Sequence, residues 1–270
     1  MRVARPGLIV SHLWVYLLPL ALAPEAPGGA YWIGALYVTL PLGLLIYGWN
    51  DFRDGDVDAL SPRKRESRMA HFFGYRLSPG RRRALPLCIV AANLPFLALA
   101  LVSGELPLVG WAAVMVAGNW LYNGPGPRLS RRPGMAEITA TGIYLCILWL
   151  GAEMAGVALS WPVWVLAAAA ILVFQIAGAI VDLPADRAVG KRTFAVAAGE
   201  TVAAAALAAA VLVKAVVFWG HLAAPPPALI NGAAAPLLLA RPSPPVGNWA
   251  GATYVYFAIA DWACLALLAL

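Results

Sequence analysis

The stretch Leu42-Gly43-Leu44-Leu45-Ile46-Tyr47-Gly48-Trp49-Asn50-Asp51-Phe52-Arg53-Asp54-Gly55-Asp56-Val57-Asp58 decides how the chain is read. An apolar run stops abruptly in a carboxamide and four carboxylates. The run itself begins near residue 31 and is long enough to cross the hydrocarbon of a bilayer, which takes roughly 20 residues of helix. The same kind of run recurs along the whole chain, at 7–23, 31–49, 84–102, 106–122, 136–154, 161–181, 201–219, 226–240 and 250–270. The eighth is short and follows Pro225-Pro226-Pro227. Composition agrees: 62% of residues are hydrophobic and only 12% are charged, where a soluble domain carries about 25% charge. The sequence therefore predicts an all-α membrane protein of about nine spans.

The first span needs a decision. Arg2 and Arg5, the apolar run and Ala21-Leu22-Ala23 resemble a secretory signal with its cleavage site. Cleavage would leave eight spans, and the charge distribution favours an uncut one. Of the 19 Lys and Arg residues, all but Lys214 fall before span 1 or in the connections that follow spans 2, 4, 6 and 8. Nine of these lie between spans 2 and 3. By the positive-inside rule the N-terminus and these connections are cytoplasmic, and the C-terminus lies on the opposite side. The net charge of +6 is thus a matter of topology, and nucleic acid is excluded as a partner. Cys88, Cys146 and Cys264 fall within spans and read as small packing residues. Trp residues near span ends form an interfacial belt.

The two longest polar stretches follow spans 2 and 6, and both open with aspartates. They lie about half a chain length apart. The whole chain, 1–270, reads as one membrane domain with pseudo-repeat halves near 1–135 and 136–270. Such repeats place a site at their interface.

If the helix of span 2 continues past Trp49, Asn50, Asp51, Asp54 and Asp58 share an arc of roughly 100°, and Asp56 falls on the opposite face. Like charges at such spacings repel and call for a cation. Oxygen donors without His or Cys suit Mg²⁺ or Ca²⁺ rather than zinc. After span 6, Asp182 and Asp186 are one helical turn apart and again share a face, with Arg187, Lys191 and Arg192 close behind. Lys offers phosphate a point charge and Arg a bidentate fork. Two facing carboxylate groups can hold two Mg²⁺ ions and clamp a diphosphate, stabilising the charge that builds on it as it leaves. An allylic diphosphate would then ionise to a carbocation in an apolar, water-poor chamber.

These segments resemble the signature of the UbiA-type intramembrane prenyltransferase superfamily. Its first motif, NDxxDxxxD, is matched by Asn50, Asp51, Asp54 and Asp58. Its second, DxxxD followed by Gly-x-x-Thr, is matched by Asp182, Asp186, Gly190 and Thr193. The likeness extends to Arg5-Pro6, Pro62-Arg63, and Tyr122 with Arg128. It implies nine helices around a central cavity. It also implies Mg²⁺-dependent transfer of a prenyl group from a polyprenyl diphosphate to a hydrophobic aromatic or lipid acceptor. The five motif aspartates would be catalytic through the metal they hold: Asp51, Asp54 and Asp58 one Mg²⁺, Asp182 and Asp186 the other. Asn50 would support the first site. Arg63, Arg128, Lys191 and Arg192 would hold diphosphate. Tyr122, followed by Asn123, would line the cavity.

The pattern departs from the family at Asn123, where many members have Ser, at Ser130, where many have Lys, and at Ala179, where some have Asp. The first loop carries the run Arg63-Lys64-Arg65-Glu66-Ser67-Arg68 in place of the usual Arg-Pro. The stretch Ser61-Pro62-Arg63-Lys64 is faintly similar to branches that prenylate lipids or carotenoids, and decides nothing alone. Two other functions fit the same residues. A UbiA-type membrane terpene cyclase would capture the cation intramolecularly, and an ion-coupled transporter would use acidic groups along an ion path. Lys214 and Asp261 read as paired or snorkelling residues. Glu137, at the start of span 5, reads as a solvated helix start.

Overall fold

A computed structural model describes residues 2–60 and 76–220. Arg63, Asp261 and the eighth and ninth spans lie outside these residues. All regular structure described is helical, and the protein is an integral membrane protein. Five described helical stretches are long and apolar enough to cross a bilayer.

Helix α1, Pro6–Leu17, opens with proline at its first position, where a missing N–H costs no bond. Pro19 then tightens the chain into a 3-10 turn, Leu18–Leu22. The second span is in pieces: α2 (Gly29–Tyr37), α3 (Leu40–Gly43), a π-helical turn (Leu44–Gly48) and α4 (Trp49–Arg53). Pro41 has no N–H to give the preceding turn, which explains the first break. Helix α5, Gly55–Leu60, follows.

The later elements are longer. Helix α6, Pro79–Val102, starts at Ser78, whose Oγ accepts from the Arg81 N–H at 3.5 Å. Its side chains Leu87, Val90, Leu94 and Leu101 are exposed, as lipid permits and water does not. Helices α7 (Leu106–Asn123), α8 (Met135–Ala155), α9 (Trp161–Ala188), α10 (Phe194–Ala198) and α11 (Glu200–Gly220) complete the described bundle.

Helix α9 joins two cores. Its first half, including Val163, Leu166 and Ala170, packs with Tyr16, Leu42, Met115 and Ile147 from α1, α3, α7 and α8. Its second half, Val173 to Leu183, packs with Ala203, Leu207 and Val211 of α11. The alanines let these two backbones approach closely, the usual way helices associate where lipid removes the hydrophobic drive. Close approach also matters at Gly151, where a Cβ would overlap the Tyr16 carbonyl of α1. Lys214 is buried inside α11; it does not snorkel to an interface.

Candidate active site

Both aspartate motifs end up at the same end of the bundle, and the structure joins them through one lysine. Asp54 and Asp186 are each about 2% exposed. Lys191 Nζ donates to Asp54 Oδ2 at 3.3 Å and lies 3.8 Å from Asp186 Oδ1. Burial would lower the Lys191 pKa, but Asp54 and Asp186 outweigh it and raise it, so the ammonium is held charged. Gly190, with φ +67°, turns the chain so that Lys191 N–H can bond the Asp186 carbonyl at 2.8 Å.

Helix α4 does not run smoothly into α5. Asp54 stands at the break with φ −101° and ψ 30°, although i→i−4 bonds persist from Asp54 to Asn50 and from Asp58 to Asp54. The single arc expected for Asp51, Asp54 and Asp58 is therefore split. Asp54 looks toward Lys191, Arg128 (3.5 Å) and Arg131 (3.7 Å). Asp51 and Asp58, also buried, line a cleft of about 410 Å³ with Arg76 and Arg82. Arg82 lies so close over Gly55 that a Cβ there would overlap its guanidinium.

Two arginines of the site hold unusual backbone. Arg5 (φ 49°) and Arg128 (φ 43°) are left-handed, a conformation that non-glycine residues rarely adopt. Arg5 Nη2 donates to Asp51 Oδ1 at 3.0 Å, and its guanidinium sits 4.7 Å above the Tyr47 ring. The π-helical turn supplies Tyr47. Its hydroxyl meets Tyr144 and lies 3.1 Å from His12 Nε2, while His12 Nδ1 lies 3.1 Å from the Val38 carbonyl. Strain at such residues persists only where surrounding contacts enforce it, and it clusters at functional sites.

The remaining expected residues divide clearly. Asn50 Nδ2 donates to the buried Asn123 Oδ1 at 3.2 Å, so the carboxamide of the first motif is tied to α7. Tyr122 is half-buried within electrostatic reach of Lys191, Asp54, Glu137 and Asp186. Asp182 is half-buried on α9, one turn before Asp186, and Arg192 is exposed. Glu137 is only 6% exposed, so the solvated helix start expected for it is not what forms: the 3-10 turn Leu129–Arg131 packs on α8, and the Phe194 N–H of α10 reaches the Glu137 carboxylate at 3.4 Å. Arg76, Arg82 and Arg131 were counted only as topogenic charges in the sequence. Arg82 sits in the run Arg81-Arg82-Arg83 and Arg131 beside Arg132, so nothing in the spacing picks out which arginine turns toward the aspartates.

The donor chemistry fits Mg²⁺: five carboxylates, no His and no Cys. In the arrangement described, Arg and Lys side chains hold the carboxylates of Asp51, Asp54 and Asp186. Among the described residues no three acidic, His or Cys side chains stand close enough to share one ion.

The fold is thus that of a helical membrane bundle in which basic side chains bring two aspartate motifs together. The profile of the UbiA prenyltransferase family matches residues 9–268. The chain belongs to the UbiA prenyltransferase family. It is similar to a lycopene elongase/hydratase of Corynebacterium glutamicum, with 26% identity over 172 residues, 63% of this chain and 58% of that protein. It is also similar to the C(50) beta-cyclic carotenoids biosynthesis protein LbtBC of a Dietzia species, at 28% identity over 75% of this chain and 49% of that protein. The matched region thus spans about half to three fifths of these relatives. Among solved structures, a UbiA homolog from Archaeoglobus fulgidus bound to GPP and Mg²⁺ superposes with a TM-score of 0.70 at 18% identity, covering 99% of this chain and 98% of that one. The same homolog bound to DMAPP and Mg²⁺ gives a TM-score of 0.66 at 17% identity, covering 98% of each chain.

Proposed function

We propose that the protein is a Mg²⁺-dependent intramembrane prenyltransferase that moves a prenyl group from an allylic diphosphate to an apolar lipid acceptor. A polyene of the carotenoid type is the favoured acceptor. The observation that carries the reading is the Lys191 bridge between Asp54 and Asp186, which makes one anion site of two motifs. Relatives named for lycopene elongation and carotenoid synthesis support the acceptor class.

On this reading Asp51, Asp54, Asp58, Asp182 and Asp186 hold Mg²⁺, two ions in all, with Asn50 supporting the first set. Held there, Mg²⁺ would supply positive charge to offset that developing on the leaving diphosphate. Arg128, Arg131 and Lys191 turn from the carboxylates to the phosphate oxygens, and Arg63 and Arg192 add further positive charge to hold the diphosphate. Tyr122 shields the cation with its ring. Asn123 keeps Asn50 in place. The two halves of the chain form one domain, with the motif loops and N-terminus on the cytoplasmic side and the C-terminus opposite.

Purified protein in lipid nanodiscs, given dimethylallyl diphosphate, lycopene and Mg²⁺, should release diphosphate and form a prenylated polyene seen by mass spectrometry. Asp51→Ala and Asp182→Ala should each lower kcat/KM by about two orders of magnitude or more. Retained turnover in both variants sinks the proposal. A cyclised prenyl product without acceptor would replace transfer by cyclisation.

A further inference from the structure

We propose that Glu137 is the base that takes up the proton released when the prenyl cation is quenched. This rests on the transferase reading above. Glu137 lies in the first turn of α8 and is 6% exposed. Its Oε1 accepts the Phe194 N–H at 3.4 Å, and its Oε2 has no hydrogen-bond partner. Two further hydroxyls stand nearby in the same condition. Thr141, one turn along the same helical face, is 7% exposed with Oγ1 unpartnered. Thr193, the residue before Phe194, is 5% exposed with Oγ1 unpartnered.

A buried carboxylate oxygen and two buried hydroxyls without partners are costly in an apolar bundle. Such a group suits a small hydrogen-bonding occupant, and water needs only two to four polar partners. The position is right for a role in catalysis. Tyr122 lies within electrostatic reach of Glu137 as well as of Lys191, Asp54 and Asp186. The bond to Phe194 also ties Glu137 to the segment that carries Lys191, three residues earlier, although Glu137 is not itself a diphosphate ligand.

Competing bases are engaged. On the transferase reading the five motif aspartates are taken up by metal, and Asp51, Asp54 and Asp186 already hold Arg or Lys. Both ring nitrogens of His12 are occupied, one by the Val38 carbonyl and one by Tyr47.

The chemistry balances without an oxidant. The allylic C–O bond breaks and its electron pair leaves with diphosphate. A π pair of the acceptor forms the new C–C bond and leaves a tertiary cation. That cation is quenched in one of two ways. An adjacent C–H bond gives its pair to a new C=C, or a water oxygen forms a C–O bond and sheds one O–H proton. In either case the proton goes to the Glu137 carboxylate.

Glu137→Gln tests this directly. The amide oxygen can still accept the Phe194 N–H, but it cannot take up a proton at neutral pH. With dimethylallyl diphosphate and lycopene, the ratio of coupled product to diphosphate released should fall about 100-fold, the low end of general-base contributions. Reaction in ¹⁸O-labelled water separates the two proton sources: label in the product shows water, and an unlabelled alkene shows C–H loss. Unchanged ratios in Glu137→Gln overturn the proposal and leave a diphosphate oxygen as the base. A normal Glu137→Gln beside an impaired Glu137→Ala also overturns it, showing a strut that only anchors α10. Should the wild type release diphosphate without prenylating lycopene, the acceptor assignment alone fails. The same comparison is then read on the prenyl alcohol, whose formation from water sheds the same proton. Absence of diphosphate release in the wild type ends both readings.

Discussion

The two aspartate motifs reach the same site by opposite constructions. The second rides on α9, a single helix of 28 residues that carries Asp182 and Asp186 on one face through Pro184. The first is delivered by short segments with a proline break, a π-helical turn and a bend at Asp54. The unbroken helix fixes two carboxylates relative to each other. The broken one distributes three, sending Asp54 to the Lys191 side and Asp51 with Asp58 to the Arg82 side. A long helix gives rigidity; a segmented one gives direction, because each piece aims its side chains separately.

This contrast can be broken most decisively at Asp54, where Lys191, Arg128 and Arg131 meet. Asp54→Asn should lower kcat/KM by about three orders of magnitude, more than Asp182→Asn, because it strips a buried cluster of its anion. Equal losses would show that the bend confers no special weight on Asp54. Lys191→Met comes next. It removes the bridge between motifs and should raise KM for the diphosphate about 100-fold, as loss of a charge-assisted contact of roughly 3 kcal/mol predicts.

Gly55→Ala sharpens the comparison at the segmented end. The added methyl displaces Arg82, a flexible side chain, so folding should survive while diphosphate affinity drops about tenfold, roughly 1.4 kcal/mol. Isothermal titration with inorganic diphosphate and Mg²⁺ reads this. The smallest effect belongs to Tyr47. Tyr47→Phe keeps the ring beneath Arg5 and should cost little. Tyr47→Leu loses the cation–π contact and should weaken binding by about 1 kcal/mol. Equal behaviour of the two would assign the role to the hydroxyl instead.

Much of this was legible in the sequence. Because lipid demands that a crossing helix satisfy its own backbone, apolar runs of bilayer length located α7, α8 and α11 closely, while α6 begins before its run, at Pro79, and α9 continues past its run to Ala188. The second motif was legible for the same reason: i, i+4 means one face wherever the helix is intact. The first was legible in composition but not in geometry. Leu44 to Gly48 carry no proline to announce a π-helical turn, and the approach of Arg82 over Gly55, just past the bend at Asp54, joins residues 27 positions apart. Glu137 was misplaced because a single acidic residue at a helix start looks solvated until distant segments cover it. The His12, Tyr47 and Tyr144 contacts come from three separate spans, and no local spacing foretells them.

The ion pairs of Arg128 and Lys191 with Asp54 have a consequence for how substrate binding responds to salt. On the proposed reading, these cations leave their carboxylates for phosphate as the carboxylates take up metal. Binding is then an exchange of partners inside a nearly neutral cage rather than a meeting of bare opposite charges. Ionic strength should barely move the affinity for a metal-loaded diphosphate. It should move that for the metal-free anion strongly, since that anion must compete with the aspartates for every positive group.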